Sequence, residues 1–469
     1  MKRIITAFLS ILILFFSPVS IVQASDSTNQ KAVWPDGPSV NAESAIIMEA
    51  STGLILYEKN IDEKHYPASI TKIMTALLAI ENSNLGDTVT FSKNAVFDVD
   101  LDSSRIGIDV GEQLTMQQCL YGMLLESANE VTYAVAEHVS GSVDAFAKLM
   151  NDKAASLGCK NTHFLNPHGL HDENHYTSCR DMALITREAM KNETFRKIFG
   201  SRTYQIPPTN LQSETRYLRN HHKFVLRQEY RYDDCIGGKT GYTTNSKFTL
   251  VSVAKRGDLE LICVIMKDDS TSHQYNDTAD LFDYAFDNFS IYPIADLEDT
   301  KVLNESPMFT RYNPLLSKST TPITIDEDGY LVLPNTASFA DAKKEVTFYS
   351  SDQESATASK GNAIGKISYT YNGKYVGGAD ILYHDTAPLQ LAKSQSTKNN
   401  PTSAPTDSSP EKSGSNLRPI ILGGIIGLFV IIVILYFVLV ERPRLKRRSA
   451  YYKKKARRKS YQNDDFLDL

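Results

Sequence analysis

Cysteine is scarce in this 469-residue chain and follows no pattern: Cys119, Cys159, Cys179, Cys235 and Cys263 are an odd number with no CxxC pair. A zinc-ribbon or redox motif is thereby set aside, and no disulfide framework is implied. The thiols are expected to be mostly buried, with a single disulfide pair left open. His168, His171 and His175 crowd into eight residues without forming HExxH. A zinc site needs three or four converging ligands, so no metal or other cofactor is expected. Internal repeats are lacking too, which sets aside solenoid architectures. Charge is absent from Ile420 to Val440, 21 residues long enough to span about 30 Å of hydrocarbon as a helix.

That uncharged run adjoins the strongest charge cluster in the chain. Residues after Val440 carry 11 Lys+Arg and 4 Asp+Glu, whereas 25–417 carry 36 and 51, so the net charge of −5 conceals an acidic body and a basic tail. A basic flank stays cytoplasmic and can grip anionic lipid headgroups, and the acidic body argues against nucleic acid as a partner. At the other end, Lys2 and Arg3 precede an apolar stretch from Ile4 to Phe16, and Val22-Gln23-Ala24 is a small-x-small cleavage pattern. The expected order is a signal peptide (1–24), an extracellular body, a transmembrane helix (418–441) and a basic cytoplasmic tail (442–469). The protein is therefore expected in the cell membrane as a single-pass chain. Gly423 and Gly427 form a GxxxG, a motif that can pair membrane helices.

About 390 residues outside the membrane predict two domains. The first, 25–290, mixes strands and helices. Ala45–Met48 and Leu54–Tyr57 read as a hairpin about Ser51-Thr52-Gly53. Ile73, Met74, Leu77, Leu78 and Ile80 form a helical stripe. Leu114–Leu125 and Val131–Val139 predict two more helices, and Thr249–Ala254 and Leu259–Met266 two strands. The second domain, 291–392, is strand-rich, with an Asn372-Gly373 hairpin turn and no amphipathic helix. Residues 393–417, rich in Ser, Thr, Pro and Asn, read as a flexible linker.

Three motifs carry the chemistry. In Ser69-Ile70-Thr71-Lys72, a serine and a lysine three apart at a helix start share a face. A serine hydroxyl needs a base, and lysine becomes one when burial or a neighbouring cation lowers its pKa; Lys239 is the candidate cation. Ser127-Ala128-Asn129 offers a second hydroxyl as proton relay and an amide to orient a peptide. Lys239-Thr240-Gly241, on a predicted strand, supplies a cation and a hydroxyl for a carboxylate. Its glycine lets a ligand backbone approach, and the Tyr242 N–H is a candidate oxyanion donor beside that of Ser69. Alone, Ser69 reads more readily as a helix cap and Lys72 as a surface charge; the three motifs together do not.

On Pro67-Ala68-Ser69-Ile70-Thr71-Lys72-Ile73-Met74-Thr75-Ala76, on Gly238 to Thr243, and on Asn166-Pro167-His168-Gly169-Leu170 with His175-Tyr176, the chain resembles the low-molecular-mass penicillin-binding proteins, serine-type D-alanyl-D-alanine carboxypeptidases. The resemblance implies an α/β (α+β) penicillin-binding/β-lactamase-like transpeptidase fold followed by a small all-β domain. It also implies removal of the terminal D-alanine from peptidoglycan stem pentapeptides, with β-lactams as inhibitors. Ser69 would attack the carbonyl, Lys72 take its proton and Ser127 pass a proton to the leaving nitrogen. Asn129, Lys239, Thr240, Gly241 and Tyr242 would hold the substrate. Ala128 stands where the family usually has glycine, and Ser246-Lys247 where it usually has Ala-Gly. No arginine occurs from Gly257 to Thr310, where the family often places one for the carboxylate; His273 and Gln274 lie near that place. An endopeptidase with the same machinery and a β-lactam sensor that does not turn over are the alternatives; the short tail after Val440 counts against the sensor.

Overall fold

The computed structural model describes residues 34–298, apart from 101 and 228, together with 323–349 and 363–383. The expected signal peptide, linker, membrane helix and basic tail lie outside these residues. No helix among those described is long and apolar enough to cross a membrane.

The hairpin expected near the N-terminus forms from β1 (Ser44–Glu49) and β2 (Ile55–Lys59). Its turn is closed by the Glu49 carboxylate, which accepts from the backbone N–H groups of Ser51 and Thr52. β3 (Cys235–Thr243), β4 (Lys247–Arg256) and β5 (Leu259–Asp268) complete an antiparallel sheet of order β2-β1-β5-β4-β3, which leaves β3 at an edge.

Both faces of this sheet are covered, and side chains alternate between two cores. Ile46, Met48, Ile262, Val264 and Met266 enter one core. Ala45, Ile47, Leu261, Cys263 and Ile265 enter the other. β1 therefore reads as a continuous buried run, as strands covered on both sides do. On the first face lie α1 (Lys72–Asn82), α2 (Met116–Leu125), α3 (Asn129–Ser140), α4 (Val143–Ser156), α5 (Cys179–Ala189) and α6 (Glu193–Phe199). Leu114, expected in a helix, sits instead in a short strand, Gln113–Thr115, and helix α2 begins with a capping box at Thr115. All five cysteines are free thiols, and four of them are buried.

The second face is covered by α7 (Thr271–Asn288), a helix the sequence reading missed. Its buried stripe includes Gln274, Asp277 and Thr278, so the apolar periodicity is broken. Asp277 is buried because it is partnered: its carboxylate accepts from Asn41 N–H at 2.6 Å and Ala42 N–H at 3.1 Å.

α7 runs straight into β6 (Phe289–Pro293), the first strand of a second sheet. That sheet adds β7 (Ile323–Ile325), β8 (Tyr330–Pro334), β9 (Lys343–Phe348), β10 (Ala363–Tyr371) and β11 (Lys374–Tyr383) in the order β6-β8-β11-β10-β9, with β7 also paired to β11. The Asn372-Gly373 turn between β10 and β11 has φ of 50° and 78° at its two residues, the left-handed pair that a tight hairpin requires. The two modules share one apolar core: Phe282 and Phe289 pack in the same cluster as Leu331, Ile367 and Ile381. Trp34, the single tryptophan, packs at a tilt on Phe289 with ring centroids 5.0 Å apart.

Candidate active site

Ser69 does not open an α-helix directly. It lies in a 3₁₀ turn, Ala68–Thr71, ahead of α1, with Lys72 closing the turn. Side chains three apart eclipse in a 3₁₀ turn, which brings Lys72 Nζ to 3.1 Å from Ser69 Oγ. Ala68 takes a left-handed φ of 51° to enter the turn.

Lys72 is completely buried, and its other two contacts are shorter. Nζ donates to Asn129 Oδ1 and to the His168 carbonyl, each at 2.7 Å. Burial pushes its pKa well below the ordinary lysine value, and Lys239 lowers it further, while Glu130 opposes the shift. In the neutral amine these two bonds use both hydrogens and leave the lone pair facing Ser69 Oγ. The arrangement can therefore take a proton from the serine.

Ser127 lies between α2 and α3, and Asn129 is the first residue of α3. Ser127 adopts a left-handed φ of 61°, a conformation uncommon for serine. Ala128 is the N-cap of α3 with φ −60°, which any residue adopts; no backbone requirement for glycine exists there. Asn129, expected to hold substrate, accepts from Lys72 Nζ through its amide oxygen.

β3 supplies the far wall. Lys239 is 1% exposed, and its Nζ donates to Ser127 Oγ at 3.1 Å and to the Thr240 carbonyl at 3.0 Å. Burial lowers its pKa to about 7, against a smaller opposing pull from Glu126. Gly241 is required by sterics: a Cβ there would lie 2.4 Å from Thr249 Oγ1 and 2.9 Å from Ser69 N. Thr249 in turn donates to the Pro67 carbonyl at 2.9 Å, tying β4 to the residues before Ser69. Tyr242 is exposed and packs on Phe248. A cavity of about 340 Å³ joins Ser69, Ser127, Thr240, Gly241 and Tyr242. All eight residues singled out from the three motifs thus converge around one groove.

The support beneath Lys72 was read from the sequence only as the stretches Asn166–Leu170 and His175-Tyr176, with no role attached to them. Thr75 Oγ1 donates to the Pro167 carbonyl at 2.6 Å. His175 Nδ1 accepts from Leu165 N–H, so its Nε2 carries the hydrogen and donates to Thr71 Oγ1 at 3.0 Å. Burial holds the pKa of His175 down at about 3, and that of His168 well below the usual value, so both imidazoles are neutral. His171 stands apart: it meets Tyr66 edge-on and contacts Asn245. His221 and His222, expected at the surface or lining the cleft, differ from each other. His221 pairs with Glu126 and lines the cavity, whereas His222 is fully buried against Tyr275.

A serine within reach of a buried lysine, a second serine on a second lysine, and an edge strand alongside define a serine acyl-transferase site. The sequence matches the D-alanyl-D-alanine carboxypeptidase family over residues 29–270, and the penicillin-binding protein 5 C-terminal domain over residues 315–389. It is 30% identical to the D-alanyl-D-alanine carboxypeptidase DacF of Bacillus subtilis over 384 residues, 80% of this chain and 92% of the relative. The Streptomyces K15 DD-transpeptidase structure superposes with a TM-score of 0.51 at 30% identity, covering 54% of this chain and all of that one. Penicillin-binding protein 5 of Haemophilus influenzae shares the fold, with a TM-score of 0.58 over 75% of this chain and 98% of the other. The chain belongs to the D-alanyl-D-alanine carboxypeptidase family of low-molecular-mass penicillin-binding proteins.

One position tests the support of Lys72. Gly169 has φ +87°, and a Cβ there would fall 1.9 Å from the Ala68 carbonyl oxygen. Gly169→Ala must shift either the Ser69 turn or the His168 carbonyl, and a displacement of that size costs about 100-fold in rate. The expected result is that loss in kcat on a D-Ala-D-Ala peptide, with far-UV circular dichroism unchanged.

Proposed function

We propose that the chain is a membrane-anchored serine carboxypeptidase that removes the terminal D-alanine from peptidoglycan stem pentapeptides. The observation that carries this reading is the neutral-lysine geometry: two short N–H bonds from Lys72 and a third contact to Ser69 Oγ. Ser69 attacks the penultimate D-alanine carbonyl and Lys72 accepts its proton. Ser127, held by Lys239, passes a proton to the leaving nitrogen, D-alanine departs, and water hydrolyses the acyl-enzyme to restore Ser69. Lys239 and Thr240 attract the terminal carboxylate, and the N–H groups of Ser69 and Tyr242 face the developing oxyanion. β-Lactams place the same acyl carbon before Ser69 and remain attached to it. The apolar runs Ile4–Phe16 and Ile420–Val440 and the basic residues after Val440 support a site outside the cell membrane with the tail in the cytoplasm.

The test is D-alanine release from a D-Ala-D-Ala pentapeptide by the full-length protein, beside labelling with a fluorescent penicillin. Stoichiometric labelling with steady release supports the proposal. Labelling without release moves the reading to a sensor, and cleavage confined to cross-linked dimers moves it to an endopeptidase.

A further inference from the structure

The leaving D-alanine carries a carboxylate, and Lys239 alone is a poor partner for it. That lysine is buried, donates to Ser127 and to the Thr240 carbonyl, and with a pKa of about 7 is only half charged at neutral pH. The stretch from Gly257 to Thr310 holds no arginine. At the start of α7, His273 is paired with the Asp269 carboxylate at 2.6 Å, and Gln274, which does line the cavity, is neutral.

The cavity extends from Ser69 and Thr240 to a further cation. Among the described residues that line it, Lys223 is the one lysine or arginine, and none is a carboxylate. Its backbone N–H donates to the Tyr275 hydroxyl at 3.0 Å, and its ammonium lies 4.9 Å from the centroid of the Tyr230 ring, which is itself stacked on Tyr275. The side chain therefore rests on an aromatic shelf in the cleft wall. Its ammonium is paired with Glu229, a carboxylate that is two-thirds exposed. The pair can open outward, because Glu229 loses little by returning to water.

We propose that Lys223 binds the carboxylate of the leaving residue, exchanging Glu229 for the substrate, and so selects peptides with a free C-terminus. This assignment rests on the carboxypeptidase reading. The test uses an N-acyl-D-alanyl thiolester whose leaving group is thioglycolate, and the methyl ester of that leaving group, which lacks the charge. A charge-assisted contact of this kind is worth about tenfold or more in kcat/KM. Lys223→Ala is expected to lose that factor on the acid and to stay within about twofold on the ester. Lys223→Arg should retain most of the acid rate. Glu229→Gln, which frees the ammonium, should lower KM for the acid alone. Equal losses on both substrates, or no loss on either, overturn the assignment while leaving the carboxypeptidase reading intact. Wild-type protein that cleaves neither substrate overturns both. Unchanged thermal midpoints separate these effects from misfolding.

Discussion

Ser69→Ala is expected to reduce D-alanine release by at least about 10⁴-fold and to abolish covalent labelling by penicillin. The loss is large because nothing beside Ser69 can replace it. Ser127 Oγ is held by Lys239, and no contact joins it to the Lys72 amine among the hydrogen bonds of the described residues. The variant should fold normally, since the 3₁₀ turn has no side-chain cap from its N-cap residue and the Ser69 hydroxyl has one hydrogen bond among the described residues, from Lys72. Release measured by a coupled D-amino-acid oxidase assay and labelling followed by gel fluorescence check both effects. Retained labelling in the variant would place the nucleophile elsewhere.

Lys72→Ala is expected to cost nearly as much, because nucleophile and base act as a unit. The double variant with Ser69→Ala should fall no further than either single change. The pH profile of the wild-type protein reports the same lysine. Lys72 is active when neutral, so kcat/KM rises with pH through its lowered pKa. Lys239 attracts the carboxylate when protonated, so kcat/KM declines above its pKa of about 7. A bell with an acid limb well below the ordinary lysine range is the expected shape. An activity that climbs steadily to pH 10 would show that Lys72 keeps its proton in the folded protein.

The site was far more legible in the sequence than the scaffold that supports it. Ser69, Lys72, Ser127 and Lys239 announce themselves by short spacings and by residue types that chemistry demands. Thr71, His175 and Gly169 stand inside stretches the sequence singles out, but nothing there gives their roles: their importance lies in contacts about 100 residues apart, such as Thr71 with His175. Strands β4 and β5 were readable because apolar runs survive burial on both faces. α7 was not, because Gln274, Asp277 and Thr278 occupy its buried stripe and Asp277 is satisfied by residues more than 230 positions away. Lys223 escaped notice for the same reason: a lysine in a short helix has no sequence signature, and its place in the cleft wall comes from the fold.

The continuous core across Phe289 has a mechanical meaning. Helix α7 passes into the first strand of the second sheet without a joint, and the residues on either side pack against common neighbours. The β module is therefore a stiff arm, and the groove keeps one orientation with respect to β11, the last strand described. A partner that grips β11 itself therefore aims the catalytic groove with it, as a bracket aims the lamp bolted to it.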